Sequence, residues 1–208
     1  MARPDAFWDR LAQRYAAQPV ANETAYQTKL AETRRLFRPD MDILEFGCGT
    51  GSTAITHAPL VRHILATDFS ARMVEIARAK AEKAGITNVT FEQADITKMP
   101  VERDRYDMVM GHSILHLLAN PQAAIDASFA RLKAGGYFVT STACLGGGAG
   151  LILALIAPLG RLFGLLPTLK AFTADQLKDM HRKSGFDIVH SWKPEKGGAA
   201  FIIAQKPV

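Results

Sequence analysis

Apolar positions change period along the chain, and each change marks an element boundary. Phe7, Leu11 and Tyr15 recur at four-residue spacing among charged neighbours, which predicts an amphipathic helix at the N-terminus. A second helix is predicted from about Ala25 to Phe37, stopped by Pro39, whose ring cannot continue it. The period then shortens. Ile43-Leu44-Glu45-Phe46 is a short apolar run that ends in a glycine-rich turn, the pattern of a strand covered on both faces. A helix beginning near Ser52 is expected to follow.

The same alternation repeats. His63 to Thr67 reads as a strand, and Ser70 can cap a helix that runs through Ala84 and stops at Gly85. Val89-Thr90-Phe91 and Tyr106 to Met110 read as further strands, Pro121 to Leu132 as a helix, and Gly136 to Thr142 as a fifth strand. Strands separated by helices require a parallel sheet with right-handed crossovers, because parallel neighbours cannot be joined by tight turns. The C-terminal part breaks this rhythm. Thr173 and Gln176 form a capping box for a helix ending at Gly185, and two strands follow directly, Phe186 to Trp192 and Ala199 to Gln205. Their link through Pro194 and Gly197-Gly198 is short enough for an antiparallel hairpin. The expected fold is therefore a doubly wound α/β domain: a mainly parallel seven-stranded sheet with an antiparallel C-terminal hairpin strand and a helical N-terminal cap.

Composition narrows the class. A chain of 208 residues with 48% hydrophobic content builds one sizeable core and is short for two. Lys and Arg exceed Asp and Glu by 25 to 20 without a dense basic run, so nucleic acid is not expected as a partner. Cys48 and Cys144 lack the paired spacing of zinc sites or disulfide frameworks, which favours a reducing, cytoplasmic setting. The start of the chain lacks a secretory apolar core, and no metal site is expected because acids and histidines do not share ligand spacing on one face.

The chemistry concentrates in Glu45-Phe46-Gly47-Cys48-Gly49-Thr50-Gly51-Ser52, with three glycines at alternate positions between a strand and a helix. Absent side chains there let a ligand approach the backbone. Asp68 follows the second strand, where a carboxylate can accept from both hydroxyls of a ribose; Asp95 follows the third, placed to accept from an adenine amine while Ile96 touches the ring. A nicotinamide-dependent oxidoreductase shares the glycine turn and distant acid. Its third glycine, however, falls one residue later, to hold a pyrophosphate on the helix N-terminus, and here that position is Ser52.

Taken together, Leu44 to Gly51, Ala66-Thr67-Asp68-Phe69-Ser70, Gln93-Ala94-Asp95, Tyr106-Asp107 and Leu132-Lys133-Ala134-Gly135-Gly136 resemble a class I S-adenosylmethionine-dependent methyltransferase of the small bacterial kind, over essentially the full length. The resemblance implies a Rossmann-like fold and S-adenosylmethionine as cofactor, with S-adenosylhomocysteine as product. It further implies that Gly47, Cys48, Gly49 and Gly51 approach the methionine portion, that Glu45 supports the turn, and that Phe69 and Met73 flank the adenosine. Gly111 would adjoin the methyl group, and Tyr15 would close over the cofactor, although its spacing with Phe7 and Leu11 equally permits packing within the cap. On this reading residues 1–42 are the cap, 43–144 the cofactor-binding core, 145–172 an acceptor-side insertion and 173–208 the terminal helix and strands.

Methyl transfer from a sulfonium asks the protein for orientation and acceptor deprotonation. His112 and His116 are the candidate acid/base residues, since Gly111-His112-Ser113 follows the fourth strand; His116, among Ile114, Leu115, Leu117 and Leu118, equally fits a packing role. The aromatic motif that accompanies base-amine methylation is replaced by Met110-Gly111-His112-Ser113, and neither cysteine is placed for attack on a flipped cytosine.

From Ala143 to Gly160 no charged residue occurs, and Leu151 to Ala157 is apolar around a whole helical circumference. Glycines, Pro158 and Arg161 interrupt it before it reaches spanning length. Three readings stay open: a lid over a hydrophobic acceptor pocket, a membrane-surface contact through residues 150–169, or a homodimer interface or additional core. The expected activity is methylation of a small or lipid-like acceptor at oxygen, nitrogen or sulfur; the alternative is a cofactor-binding regulatory or assembly subunit without turnover.

Overall fold

The computed structural model describes residues 4–144, 169–194 and 199–208. Among them the helices are α1 (Pro4–Ala17), α2 (Glu23–Arg34), α3 (Ser52–His57), α4 (Ala71–Lys83), α5 (Pro121–Arg131) and α6 (Ala174–Lys183). The strands are β1 (Asp42–Phe46), β2 (His63–Asp68), β3 (Val89–Gln93), β4 (Tyr106–His112), β5 (Leu132–Ala143), β6 (Asp187–Trp192) and β7 (Ala199–Gln205). They form one seven-stranded sheet in the order β3-β2-β1-β4-β5-β7-β6. The pairs from β3 to β5 are parallel, and β7 runs antiparallel to both β5 and β6.

The expected hairpin strands are thus neighbours, but the last strand is the inner one. Val139 faces Ile203 and Thr140 faces Ile202 across the β5–β7 pair, and β7 is buried almost throughout while β6 is largely exposed at the edge. The chain order reverses between β1 and β4, which opens a crevice at the carboxyl edge where ligands of such sheets bind. One apolar cluster on each face of the sheet completes the core. Phe138, Ile125 and Leu177 lie in one; Ile43, Ile64 and Val74 lie in the other.

Local chemistry explains most element ends. Asn22, Ser70 and Asn120 each accept a backbone N–H three residues on, capping α2, α4 and α5. Thr173 and Gln176 form the expected reciprocal capping box on α6. Helix α2 starts two residues before the predicted Ala25 because Asn22 caps it, and it ends at Arg34 rather than Phe37. Leu36 and Phe37 donate to carbonyls three residues back, a tighter turn that closes the helix. Strand β5 begins at Leu132, four residues before the predicted start. Leu132 pairs with Tyr106, and the register shift before the Met108–Tyr137 pair absorbs Lys133 to Gly136.

At the amino edge the strands are bound by charge. Asp42 accepts from Arg62 and Arg105, and its backbone N–H donates to Asp107, which also receives Lys133. The guanidinium hydrogen bonds hold Asp42 at about 2. Arg131, almost fully buried, donates to the carbonyls of Ala127, Met99 and Pro100, so its charge is not left unmet. Residues 145–168, with the lid, membrane-surface and dimer readings attached to them, lie outside the described residues. No helix among the described residues is long and apolar enough to cross a membrane.

Two buried histidines tie fold stability to pH. His181 hydrogen-bonds the Leu177 carbonyl and the Thr140 hydroxyl and stacks on Phe138; His57 meets the edge of Phe37 and has no polar partner for either ring nitrogen among the described residues. Burial lowers His57 to about 3 and His181 to about 4. The unfolded chain therefore takes up protons that the folded chain refuses, and their contribution is present above the unfolded value near 6.5 and lost as pH falls toward 4. Unfolding free energies measured from pH 7 to pH 4.5 are expected to fall, and His181→Phe is expected to flatten that slope by up to about 1.4 kcal/mol per pH unit. An unchanged slope in this variant would remove His181 from the account.

Candidate active site

The glycine turn after β1 adopts the backbone that only glycine takes without strain: Gly47, Gly49 and Gly51 have φ of 63°, 54° and 75°. Packing adds a second requirement at two of them. A Cβ on Gly47 would lie 2.5 Å from Ile114, and one on Gly51 would lie 2.8 Å from both Ala77 and the Phe91 ring. Asp68 fastens the turn from the end of β2. One carboxylate oxygen accepts from Gly49 N–H and the other from Ser70 N–H, each at 2.9 Å. Cys48 N–H adds a bond to the Thr67 carbonyl.

Two cavities flank the turn and share Gly47. The first, of about 500 Å³, lies under α1 and α2 and is lined by Tyr15, Glu45, Gly47, Cys48, Gly49 and His112, with Lys29, Ser113 and Ser141 beyond them. The second, of about 740 Å³, is lined by Phe69, Asp95, Ile96, Gln93, Ile114 and Leu118. The residues named in the sequence for the methionine portion thus meet on one side of Gly47, and Phe69, Asp95 and Ile96 meet on the other.

Four residues named for the cofactor line neither cavity. Asp68 is sealed beneath the turn with both oxygens engaged; Met73 is buried in the first turn of α4; Gly51 accommodates Phe91; and the Phe46 ring occupies the space a Cβ on Gly111 would need. His112 and His116 separate in the same way. His112 faces the first cavity, with Nε2 buried and unpartnered among the described residues, whereas His116 lies in a short 3₁₀ turn outside both cavities and accepts Lys170 N–H at its carbonyl. Cys48 is buried, and burial raises its thiol further above its ordinary value, aided by Glu45 and Asp68. It is not poised as a nucleophile.

Tyr15 has contacts of both kinds: its ring comes to 3.6 Å from where a Cβ on Gly49 would stand, over the turn, and it packs edge-on against Trp8. It lies there because Asp9 of α1 accepts from the Ser70 hydroxyl and Arg72 N–H, docking the cap on the start of α4. Sequence reasoning missed Lys29, Ser113 and Ser141. Ser113 carries φ of 55°, a strained value for a residue with a side chain, directly after β4. Lys29 and Ser141 are 112 positions apart and meet only because α2 lies over the end of β5.

Glu45 is the electrostatic centre of the site. It is 2% exposed, its Oε2 has no partner among the described residues, and burial raises its carboxyl to about 8. A buried acid without a partner, opening on a ligand-sized cavity, is satisfied by a cationic group. The methionine end of S-adenosylmethionine carries an ammonium, and the glycine cradle and Asp95 with Ile96 fit its remaining parts, so the residues present fit this cofactor. No group of three or more metal-binding side chains occurs among the described residues.

Comparison with known proteins agrees. A family model described as a methyltransferase domain matches residues 37–192. The chain is 31% identical to a demethylmenaquinone methyltransferase of Clavibacter sepedonicus over 65% of its own length and 46% of that protein. It is 28% identical to a ubiquinone biosynthesis O-methyltransferase of Cereibacter sphaeroides over 71% and 60%. The chain spans about half the length of the curated relatives it matches. Its fold is that of an S-adenosylmethionine-dependent methyltransferase from Mesorhizobium loti, with a TM-score of 0.69 at 19% identity, covering 85% of this chain and 96% of that one. The glycine turn, its buried acids and the match over residues 37–192 converge, displacing the nicotinamide reading: this chain belongs to the family of S-adenosylmethionine-dependent class I methyltransferases.

Proposed function

We propose that this chain transfers a methyl group from S-adenosylmethionine to an oxygen, nitrogen or sulfur of a small or lipid-like apolar acceptor, with His112 taking the acceptor proton. The observation that carries the cofactor side is Glu45, a buried carboxyl that lines the first cavity with one oxygen unpartnered among the described residues. Glu45 would hold the ammonium, Gly47 and Gly49 the methionine backbone, and Asp95, Phe69 and Ile96 the adenosine. When bound, the cofactor supplies an electrophilic methyl group, so the protein adds orientation and a proton acceptor. Asp68 serves by holding the turn in shape, a positioning role.

Support for the acceptor side comes from the first cavity, where Val20, Ala25 and Leu30 stand beside His112. The two relatives cited are named for menaquinone and ubiquinone, ring compounds with apolar character. His112 ends β4 and lines the first cavity, and burial together with Lys29 holds it at about 4, neutral at pH 7. The ends of the stretch outside the described residues, Cys144 after β5 and Lys170 at the His116 carbonyl, adjoin this region of the sheet.

The cofactor reading is tested by calorimetry with S-adenosylmethionine, S-adenosylhomocysteine and NAD. Wild type is expected to bind the first two in the micromolar range and NAD not at all; Asp95→Ala and Glu45→Gln are each expected to weaken binding by about tenfold or more, roughly 1.4 kcal/mol. Binding of NAD alone would end this reading.

Glu45 also gives the binding a pH signature. In the free protein its carboxyl is protonated below about 8, and an ammonium beside it favours the ionised form, so binding releases a proton near pH 7. Without ligand, the raised folded value means that stability falls as pH rises from the unfolded value near 4.5 to about 8. The calorimetric enthalpy of the wild type is expected to vary with the ionisation enthalpy of the buffer, and Glu45→Gln to lose that variation; equal buffer dependence in both proteins would clear Glu45 of the role.

For turnover, a panel of apolar phenols, amines and thiols is assayed with wild type and His112→Gln. The variant is expected to keep its affinity for S-adenosylhomocysteine and lose about 10²-fold or more in rate. Full activity in the variant would exclude His112 as the proton acceptor.

A further inference from the structure

The least explained charge in the first cavity is Lys29. Its Nζ donates to Ser141 Oγ at 2.8 Å, and among the described residues it forms no ion pair. One of its three donors is therefore used, and Lys29 itself lines the cavity. Ser141 is directly opposite His112 in the β4–β5 register, so the tether fixes the ammonium beside the imidazole. Around it stand Leu30 and Thr33 of its own helix, His112 of β4 and Ser141 of β5, with Glu45 of β1 on the same cavity. A half-buried ammonium without a counter-charge is unfavourable until an anion meets it.

Position selects which anion. The glycine turn follows β1, and β4 stands between β1 and β5, whose Ser141 tethers Lys29 of α2. Glu45 serves the cofactor on the β1 side; Lys29 faces the space beyond His112. We infer that Lys29 binds the oxyanion of the acceptor, and that the acceptor of this enzyme carries an acidic hydroxyl, a phenol or an enol, on an apolar frame. This rests on the methyl-transfer reading above and narrows it to oxygen.

The step balances with the groups named. The acceptor O–H bond breaks, leaving its electron pair on oxygen beside the Lys29 ammonium, and the proton passes to His112 Nε2. The oxygen pair then forms the bond to the methyl carbon while the methyl–sulfur bond breaks, its electron pair remaining on sulfur. The products are a methyl ether, a neutral thioether and one proton on His112, which then leaves to solvent. His112, lowered to about 4 by burial and by Lys29, is a weak base. It suits a hydroxyl already inclined to ionise, and an aliphatic alcohol is not served.

The test uses 4-nitrocatechol, whose ionised form absorbs in the visible, titrated over pH with protein saturated in S-adenosylhomocysteine. In wild type the bound probe is expected to ionise at least about one pH unit below the free probe, a tenfold change in its ionisation constant. Lys29→Met is expected to abolish that shift and weaken binding of the ionised probe about tenfold, with S-adenosylhomocysteine affinity retained, and Lys29→Arg to keep most of the shift. Should Lys29→Met not fold, the wild-type titration decides, with Ser141→Ala expected to reduce the shift by freeing the ammonium. An unshifted bound probe, or no probe binding by a wild type that holds S-adenosylhomocysteine, overturns the inference. So does a Lys29→Met that loses S-adenosylhomocysteine while the probe still shifts, since the ammonium then serves the cofactor's own carboxylate. Failure of wild type to bind S-adenosylhomocysteine at all overturns the methyl-transfer reading instead.

Discussion

A carboxylate buried beneath a glycine turn organises this molecule. Asp68 ends β2, and its two oxygens receive the N–H groups of Gly49 and Ser70, so one side chain joins the turn after β1 to the first turn of α4. Both bonds are charge-assisted and shielded, and burial, which by itself raises the Asp68 carboxyl, is opposed by them. Ser70 passes the connection on. Its hydroxyl caps α4 and donates to Asp9, which brings the N-terminal helix and Tyr15 over the turn. Both cavities take their walls from this arrangement.

The site separates its charges along the sheet. Glu45 lies on the β1 side, buried and lacking a partner for one oxygen, and Lys29 lies toward β5, held by a neutral hydroxyl. Between them His112 is kept neutral. A protonated carboxyl and an ammonium that do not pair with one another store the capacity to bind charged ligand atoms, at the cost of unmet polar groups in the free protein. The amino edge of the sheet does the reverse: Asp42 and Asp107 meet Arg62, Arg105 and Lys133 in closed ion pairs, leaving nothing for a ligand. Stability is placed at one edge and reactivity at the other.

Much of this was legible in the residues. Period changes located every strand, Ser70 and the Thr173–Gln176 box marked helix starts, and the spacing of Gly47, Gly49 and Gly51 distinguished this turn from one that grips a pyrophosphate. Those signals are local, carried by residues within one turn of each other. The inner position of β7 was less accessible, because a short link permits antiparallel pairing without saying which partner receives the next strand. Asp68 was found, but its anchoring of the turn was not: adjacency in sequence showed that it ends a strand, while the two N–H groups that engage it come from separate loops.

Sequence by itself determined the alternation of elements, the glycine turn and the class of cofactor, since backbone freedom, capping and hydrophobic period are properties of neighbouring residues. Tertiary structure alone decided that His112 and not His116 faces the cavity, that Gly111 yields its space to Phe46, and that Lys29 meets Ser141. Each of these depends on the rotation of one element about its axis or on the meeting of residues far apart in the chain, and no local pattern encodes them.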